Sequence, residues 1–109
     1  MKVIETQEEF DEILKQGRPT IVDCFAEWCG PCILMGPVFE KWSKKYTNIL
    51  FTKIDVDEAE ELAESLGVDK LPTFLFYDNE GNLEEKFEGN DKQKLEALVD
   101  KFSEDNKDE

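Results

Sequence analysis

Apolar positions recur with two different periods along these 109 residues, and the switches between them outline the elements. The short apolar pair Val3-Ile4 predicts an edge strand. Thr6-Gln7-Glu8-Glu9 has the form of a capping box, a threonine at the cap and a glutamate three residues later. Phe10, Ile13 and Leu14 follow at helical spacing, and Gly17 supplies the stop. Thr20-Ile21-Val22-Asp23-Cys24-Phe25 is nearly continuously apolar, the pattern of a central strand covered on both faces. A helix is expected over 29–46, with Leu34, Val38, Trp42 and Tyr46 on one side and Met35 and Phe39 widening it. Pro37 falls inside it and should kink it. A strand is expected over 49–56. Asp57, with Glu60 at the capping-box position, predicts a third helix that turns Leu62 and Leu66 inward and stops at Gly67.

Thr73-Phe74-Leu75-Phe76-Tyr77 is another apolar strand. Asp78-Asn79-Glu80-Gly81-Asn82 reads as a hairpin turn in which Gly81 supplies a positive φ. The return strand over 83–87 carries Glu84, Glu85 and Lys86, with Glu88 just beyond, charges that discourage edge-to-edge aggregation. Asn90 or Asp91 caps a last helix with Leu95, Leu98, Val99 and Phe102 inward, and 103–109 reads as a frayed acidic tail. The order β-α-β-α-β-α-β-β-α predicts one α/β domain over 1–109: a mixed central sheet with helices on both faces and a terminal hairpin.

Charge narrows the partners. Asp plus Glu number 27 against 13 for Lys plus Arg, a net charge of −14, which argues against nucleic acid or an anionic membrane surface. The acidity serves either solubility or steering toward basic partner surfaces. No apolar run is long enough to span a bilayer. Met1-Lys2-Val3-Ile4-Glu5 lacks the apolar core of a signal peptide, so a reducing compartment, most simply the cytosol, is expected. Three cysteines, an odd number, do not make a disulfide framework. A monomer is expected.

The chemistry concentrates in Trp28-Cys29-Gly30-Pro31-Cys32. On a helix, residues three apart lie side by side, within the Cα separation that a disulfide tolerates. A helix beginning near Cys29 would favour a thiolate there through its unpaired N–H groups and dipole. Pro31 suits the first turn, and Gly30 leaves room for a partner to approach the sulfur. The stretch reads as a dithiol/disulfide switch with Cys29 outermost and Cys32 tucked into the helix. Two other readings compete. Zinc wants four ligands, and the chain has three cysteines and no histidine. A purely structural bridge would close too small a loop to constrain much. Asp23 is the other anomaly, a carboxylate inside an apolar strand, costly there unless paired, protonated or turned to solvent at a strand end. Lys53 is the polar oddity of the next strand, where it could simply snorkel to an edge. Cys24 reads as a small buried hydrophobe rather than a third redox thiol. Trp28 reads as a surface platform beside the sulfur.

W-C-G-P-C resembles the active site of the thioredoxin family, and the likeness extends over roughly residues 2–103. Gly67-Val68-Asp69-Lys70-Leu71-Pro72-Thr73 is similar to the family's second motif. The resemblance implies the thioredoxin fold, a buried acid at Asp23 beneath Cys32, and Lys53 beside it. It also implies a cis Leu71–Pro72 bond facing the cysteines, where the residues alone allow an ordinary trans proline opening a strand. Gly89 matches a groove glycine, or else simply ends a strand. The implied activity is protein-disulfide reduction, with Cys29 as nucleophile, Cys32 as resolving thiol and Asp23 as proton acceptor, assisted by Lys53. Trp28, Gly30, Pro31, Leu71, Pro72 and Gly89 would shape the substrate groove. The implied partners are disulfide-containing proteins and an NADPH-linked flavoprotein, thioredoxin reductase; no cofactor or metal is implied for the chain itself. Two positions depart from the family: Cys24 stands where an aromatic is usual, and Ile33 where a basic residue is common. Rival functions are a disulfide oxidase or isomerase, whose representatives often carry histidine between the cysteines, and a redox-switched binding module.

Overall fold

The computed structural model describes residues 1–107. Nine elements follow in the expected order: β1 (Lys2–Val3), α1 (Gln7–Leu14), β2 (Thr20–Phe25), α2 (Gly30–Lys45), β3 (Leu50–Asp55), α3 (Glu60–Ser65), β4 (Thr73–Tyr77), β5 (Leu83–Glu88) and α4 (Lys92–Asp105). The strands form one sheet in the order β1-β3-β2-β4-β5. β1 and β2 run parallel to β3, whereas β4 is antiparallel to both β2 and β5. This is the mixed sheet of the thioredoxin fold.

Alternation along the strands divides the interior in two. Ile21, Phe51, Phe74 and Phe76 pack with Met35, Phe39 and Trp42 of α2 and with Leu95, Val99 and Phe102 of α4. On the opposite face Val22, Cys24, Ile54, Leu75 and Tyr77 meet Phe10 and Ile13 of α1 and Leu62 of α3. Edge-on aromatic pairs tie the first layer together, Phe39 with Phe51 and Phe76 with Phe102. Asp23 shares the strand face of Ile21, so it is directed toward the side that carries α2.

Local signals explain most boundaries. Thr6 caps α1 by accepting from the Glu9 N–H, while the Glu9 carboxylate accepts from the Glu5 N–H. Asp91, rather than Asn90, caps α4 by accepting from the Lys94 N–H. Gly17, Gly67 and Gly81 all adopt positive φ at the ends or turns where they were expected. Pro37 lies inside α2 without ending it.

Three expectations need correction. The buried stripe of α2 is Cys32, Met35, Phe39 and Trp42, whereas Leu34 is 72% exposed and Val38 only half-buried. Apolar residues encircle the first turns of this helix, so period alone did not single out the inner face. Asp57 does not cap α3; the cap position is Ala59, with no side-chain bond, and a preceding turn is held by Asp55 Oδ1, which accepts from the N–H groups of Asp57 and Glu58. The C-terminal segment is not frayed from 103, because α4 continues to Asp105 and Ser103 is buried, its hydroxyl donating to Asn48 Oδ1 at 3.0 Å. Residues 108 and 109 of the expected tail lie outside the described residues.

Candidate active site

Cys29 sits at the N-cap of α2 in extended backbone geometry, and Pro31 follows in the first turn. The Cys32 N–H donates to Cys29 Sγ at 3.3 Å. An orphan donor of the helix end is thus spent on the sulfur, which favours negative charge there. The two cysteines are joined in a disulfide with their Cα atoms 5.2 Å apart. They pack with buried Ala26 and with Phe25, Val56 and Leu71.

Accessible area does not separate the pair as expected, for Cys29 is 5% and Cys32 4% exposed. The surroundings do separate them. A cavity of about 480 Å³ is lined by Trp28, Cys29, Gly30, Pro31, Val56, Val68, Asp69 and Leu71, with Cys32 outside it. The Leu71–Pro72 bond is cis, and Leu71 forms part of the wall. Pro72 and Gly89 do not line the cavity. Instead the Gly89 N–H donates to the Pro72 carbonyl at 2.9 Å, from a backbone with φ of 108° that disfavours any side chain. Gly89 therefore holds the cis-proline turn from behind.

Trp28 is 71% exposed, yet its indole is fixed. Its Nε1–H donates to the Asp57 carboxylate at 2.8 Å, and the Asp57 N–H in turn donates to Asp55 Oδ1 at 3.0 Å. Sequence reading missed Asp57, Val56, Val68 and Asp69 as site residues. Asp57 looked like a helix cap, and a contact spanning 29 positions leaves no local signal. Replacing Asp57 with Ala is expected to lower kcat/KM on a protein disulfide by roughly three- to tenfold, the effect of one hydrogen bond of about 1 kcal/mol. Thermal melting beside the kinetics distinguishes loss of the indole's position from loss of the fold.

Asp23 is 1% exposed, in register with Lys53 on β3 and Phe74 on β4. Among the described residues its Oδ1 has no hydrogen-bond partner. Burial pushes the carboxyl up to about 7, against the opposing pull of the Lys53 charge. Lys53 is half-buried, with its ammonium 4.7 Å from the centre of the Phe25 ring, so it acts on Asp23 through space. Cys24 is a fully buried free thiol facing α1 and α3, on the other side of the sheet from Asp23, and burial raises its pKa. Among the described residues no cluster of three or more Cys, Asp or Glu could hold a metal ion, and no helix is long and apolar enough to cross a membrane.

The thioredoxin family model matches residues 1–101. Thioredoxin 1 of Plasmodium falciparum (isolate 3D7) is 41% identical over 103 residues, covering 94% of this chain and 98% of that protein. Thioredoxin of Rattus norvegicus is 38% identical over 105 residues, covering 94% and 99%. Among solved structures, a Plasmodium falciparum thioredoxin superposes with a TM-score of 0.88 at 42% identity, over 93% of this chain and 98% of that one. Fasciola hepatica thioredoxin gives 0.89 at 34% identity, over 94% and 99%. With the cysteine pair at the head of α2, the cis-proline turn beside it and likeness along nearly the whole chain, the protein belongs to the thioredoxin family of protein disulfide oxidoreductases.

Proposed function

We propose that the chain works as a protein-disulfide reductase in which Cys29 attacks and Cys32 resolves. The Cys29 thiolate attacks one sulfur of the substrate disulfide, forms a mixed disulfide and releases the first substrate thiolate. Cys32 then gives its proton to Asp23, directly or through a water, and attacks Cys29 Sγ. The second substrate thiolate leaves, and the Cys29–Cys32 disulfide remains. One substrate disulfide becomes two thiols, and one protein dithiol becomes a disulfide. Reduction of that disulfide takes two electrons from an NADPH-linked flavoprotein, thioredoxin reductase, in the cytosol.

The carrying observation is the asymmetry of the pair: the helix N–H of Cys32 aims at Cys29 Sγ, and Cys29 alone of the two lines the cavity. Trp28, Gly30, Pro31 and Leu71 would receive the substrate there, with Pro72 and Gly89 shaping that wall from behind. The buried Asp23 carboxyl, held near 7, can both accept and return a proton around neutrality, which suits a base serving Cys32; Lys53 tunes it.

Brief alkylation of the reduced protein with iodoacetamide, followed by peptide mapping, tests the assignment. Cys29 is expected to label at a pH below that at which an ordinary cysteine reacts, about 8.5, and at least tenfold faster than Cys32 or Cys24. Preferential labelling of Cys32 would reverse the roles.

A further inference from the structure

The segments around the Cys29 cavity are poor in cations. No lysine or arginine occurs between Arg18 and Lys41, or between Lys53 and Lys70. These stretches supply the active-site loop, the first turns of α2, the β3–α3 turn and α3. They carry Glu27, Asp57, Glu58, Glu60, Glu61 and Asp69, all exposed. Lys53 is withdrawn onto the Phe25 ring. Ile33, which follows Cys32, is exposed and apolar. Two cations border this rim: Lys70, next to Asp69 in sequence, and Lys86, whose ammonium is spent on the Gly67 carbonyl at 3.1 Å.

The groove itself combines apolar walls with acidic ends. Pro31, Val56, Val68 and Leu71 form the walls, and Asp69 is the one charged residue among them. At the other end Asp57 holds the Trp28 indole and also lines a second cavity of about 660 Å³. That cavity is walled by Glu5, Glu58, Glu60 and Glu61 over Ala59 and Leu62. The two cavities meet at the Trp28–Asp57 bond. A chain seated beside Cys29 and running across Trp28 therefore passes from an apolar cleft onto a surface where, among the described residues, Asp57, Glu58, Glu60 and Glu61 form no ion pair, with Lys2 facing Glu5 at its far edge.

We infer that the groove selects cationic substrates: the disulfide it takes lies in a segment with an apolar residue beside the attacked cysteine and Lys or Arg close by, directed over Trp28 toward Asp57. This rests on the reductase reading above and adds the class of substrate. A single exposed ion pair contributes little. Several clustered carboxylates, on a chain of net charge −14, act together on the rate of encounter and repel an anionic segment.

Three disulfide-linked peptides test it, identical except for Lys, Gln or Glu at the positions flanking the cysteine. Each rate of reduction by the reduced protein is divided by its rate with 2-mercaptoethanol, which removes intrinsic differences in disulfide reactivity. At low ionic strength the Lys peptide is expected to react about tenfold faster than the Glu peptide, and in 0.5 M NaCl the ratio should shrink to about twofold as screening sets in. In the triple variant Glu58→Gln, Glu60→Gln, Glu61→Gln the low-salt ratio should fall at least by half; the salt series on the unaltered protein stands independently if that variant folds poorly. Equal rates for the Lys and Glu peptides at low salt, with the Gln peptide still reduced, would overturn the selectivity and leave the reductase reading intact. A Gln peptide left unreduced would remove the reductase reading, and the selectivity with it.

Discussion

Replacing Asp23 with Asn should make the protein more stable and slower at neutral pH. The carboxyl is buried in the central sheet, and its pKa rises from 3.8 to about 7 because desolvation disfavours the charged form more than Lys53 favours it. A raised acid pKa means that the native state holds the proton more tightly than the unfolded chain. Stability is therefore complete at pH below the unfolded value and is lost as pH climbs through the window from about 4 to about 7, remaining lost above it. At about 1.4 kcal/mol per pH unit, ionising Asp23 costs on the order of 2–4 kcal/mol at neutrality. Asn keeps the shape without the titration, although its amide inherits the position where Oδ1 finds no partner among the described residues. Urea unfolding of the disulfide form should show the variant and the parent converging near pH 4 and separating by about 2–4 kcal/mol near pH 7. Turnover at pH 7 should fall by roughly tenfold or more, since Cys32 loses the group that takes its proton. A variant less stable and equally fast would leave Asp23 as an ordinary structural carboxylate. Stability and activity moving in opposite directions is the mark of a group retained for function at the cost of folding energy.

Loss of either cysteine should abolish turnover, but in distinguishable ways. Cys32→Ser keeps the attacking sulfur at the helix N-cap and removes the thiol that resolves the mixed disulfide, so substrate proteins should accumulate covalently on Cys29. Cys29→Ser removes the sulfur that lines the cavity and leaves Cys32 outside it, so almost nothing should be captured. Non-reducing electrophoresis after incubation with a disulfide-containing protein compares them directly. The expected difference is on the order of a hundredfold in trapped adduct, because the resolving step normally removes it far faster than solvent thiols do. Equal trapping by both variants would contradict the assignment of nucleophile. Cys24, sealed within the opposite layer of the core, should contribute to neither outcome.

The sequence announces what is local and conceals what is long-range. The capping box at Thr6, the turn glycines and the apolar run of β2 each act within a few residues, and the elements they predict are present. Asp23 is visible for the same reason, as one charged residue breaking an apolar strand, and its burial follows from the strand's central place in the sheet. The cysteine pair is visible through its spacing. Leu34 misleads because α2 opens with apolar residues all round, and those facing outward flank the active cysteines instead of filling the core. Asp57 misleads because its local form is that of a cap, while its carboxylate is claimed by an indole brought near only by the parallel pairing of β2 and β3. Val68 and Asp69 fall within the motif that ends at Thr73, but their sequence does not say that they line the cavity beside Leu71. The continuation of α4 to Asp105 is likewise secured from a distance, by the Asn48 and Ser103 side chains.

The central claim is that the reduced Cys29–Cys32 pair carries electrons to protein disulfides. Its most direct test is the rate at which insulin is reduced by dithiothreitol, followed by turbidity, with and without catalytic amounts of this protein. The account predicts strong acceleration by the unaltered chain and none by Cys29→Ser or Cys32→Ser. A reduced, folded protein that left the insulin reaction at its uncatalysed rate would contradict it.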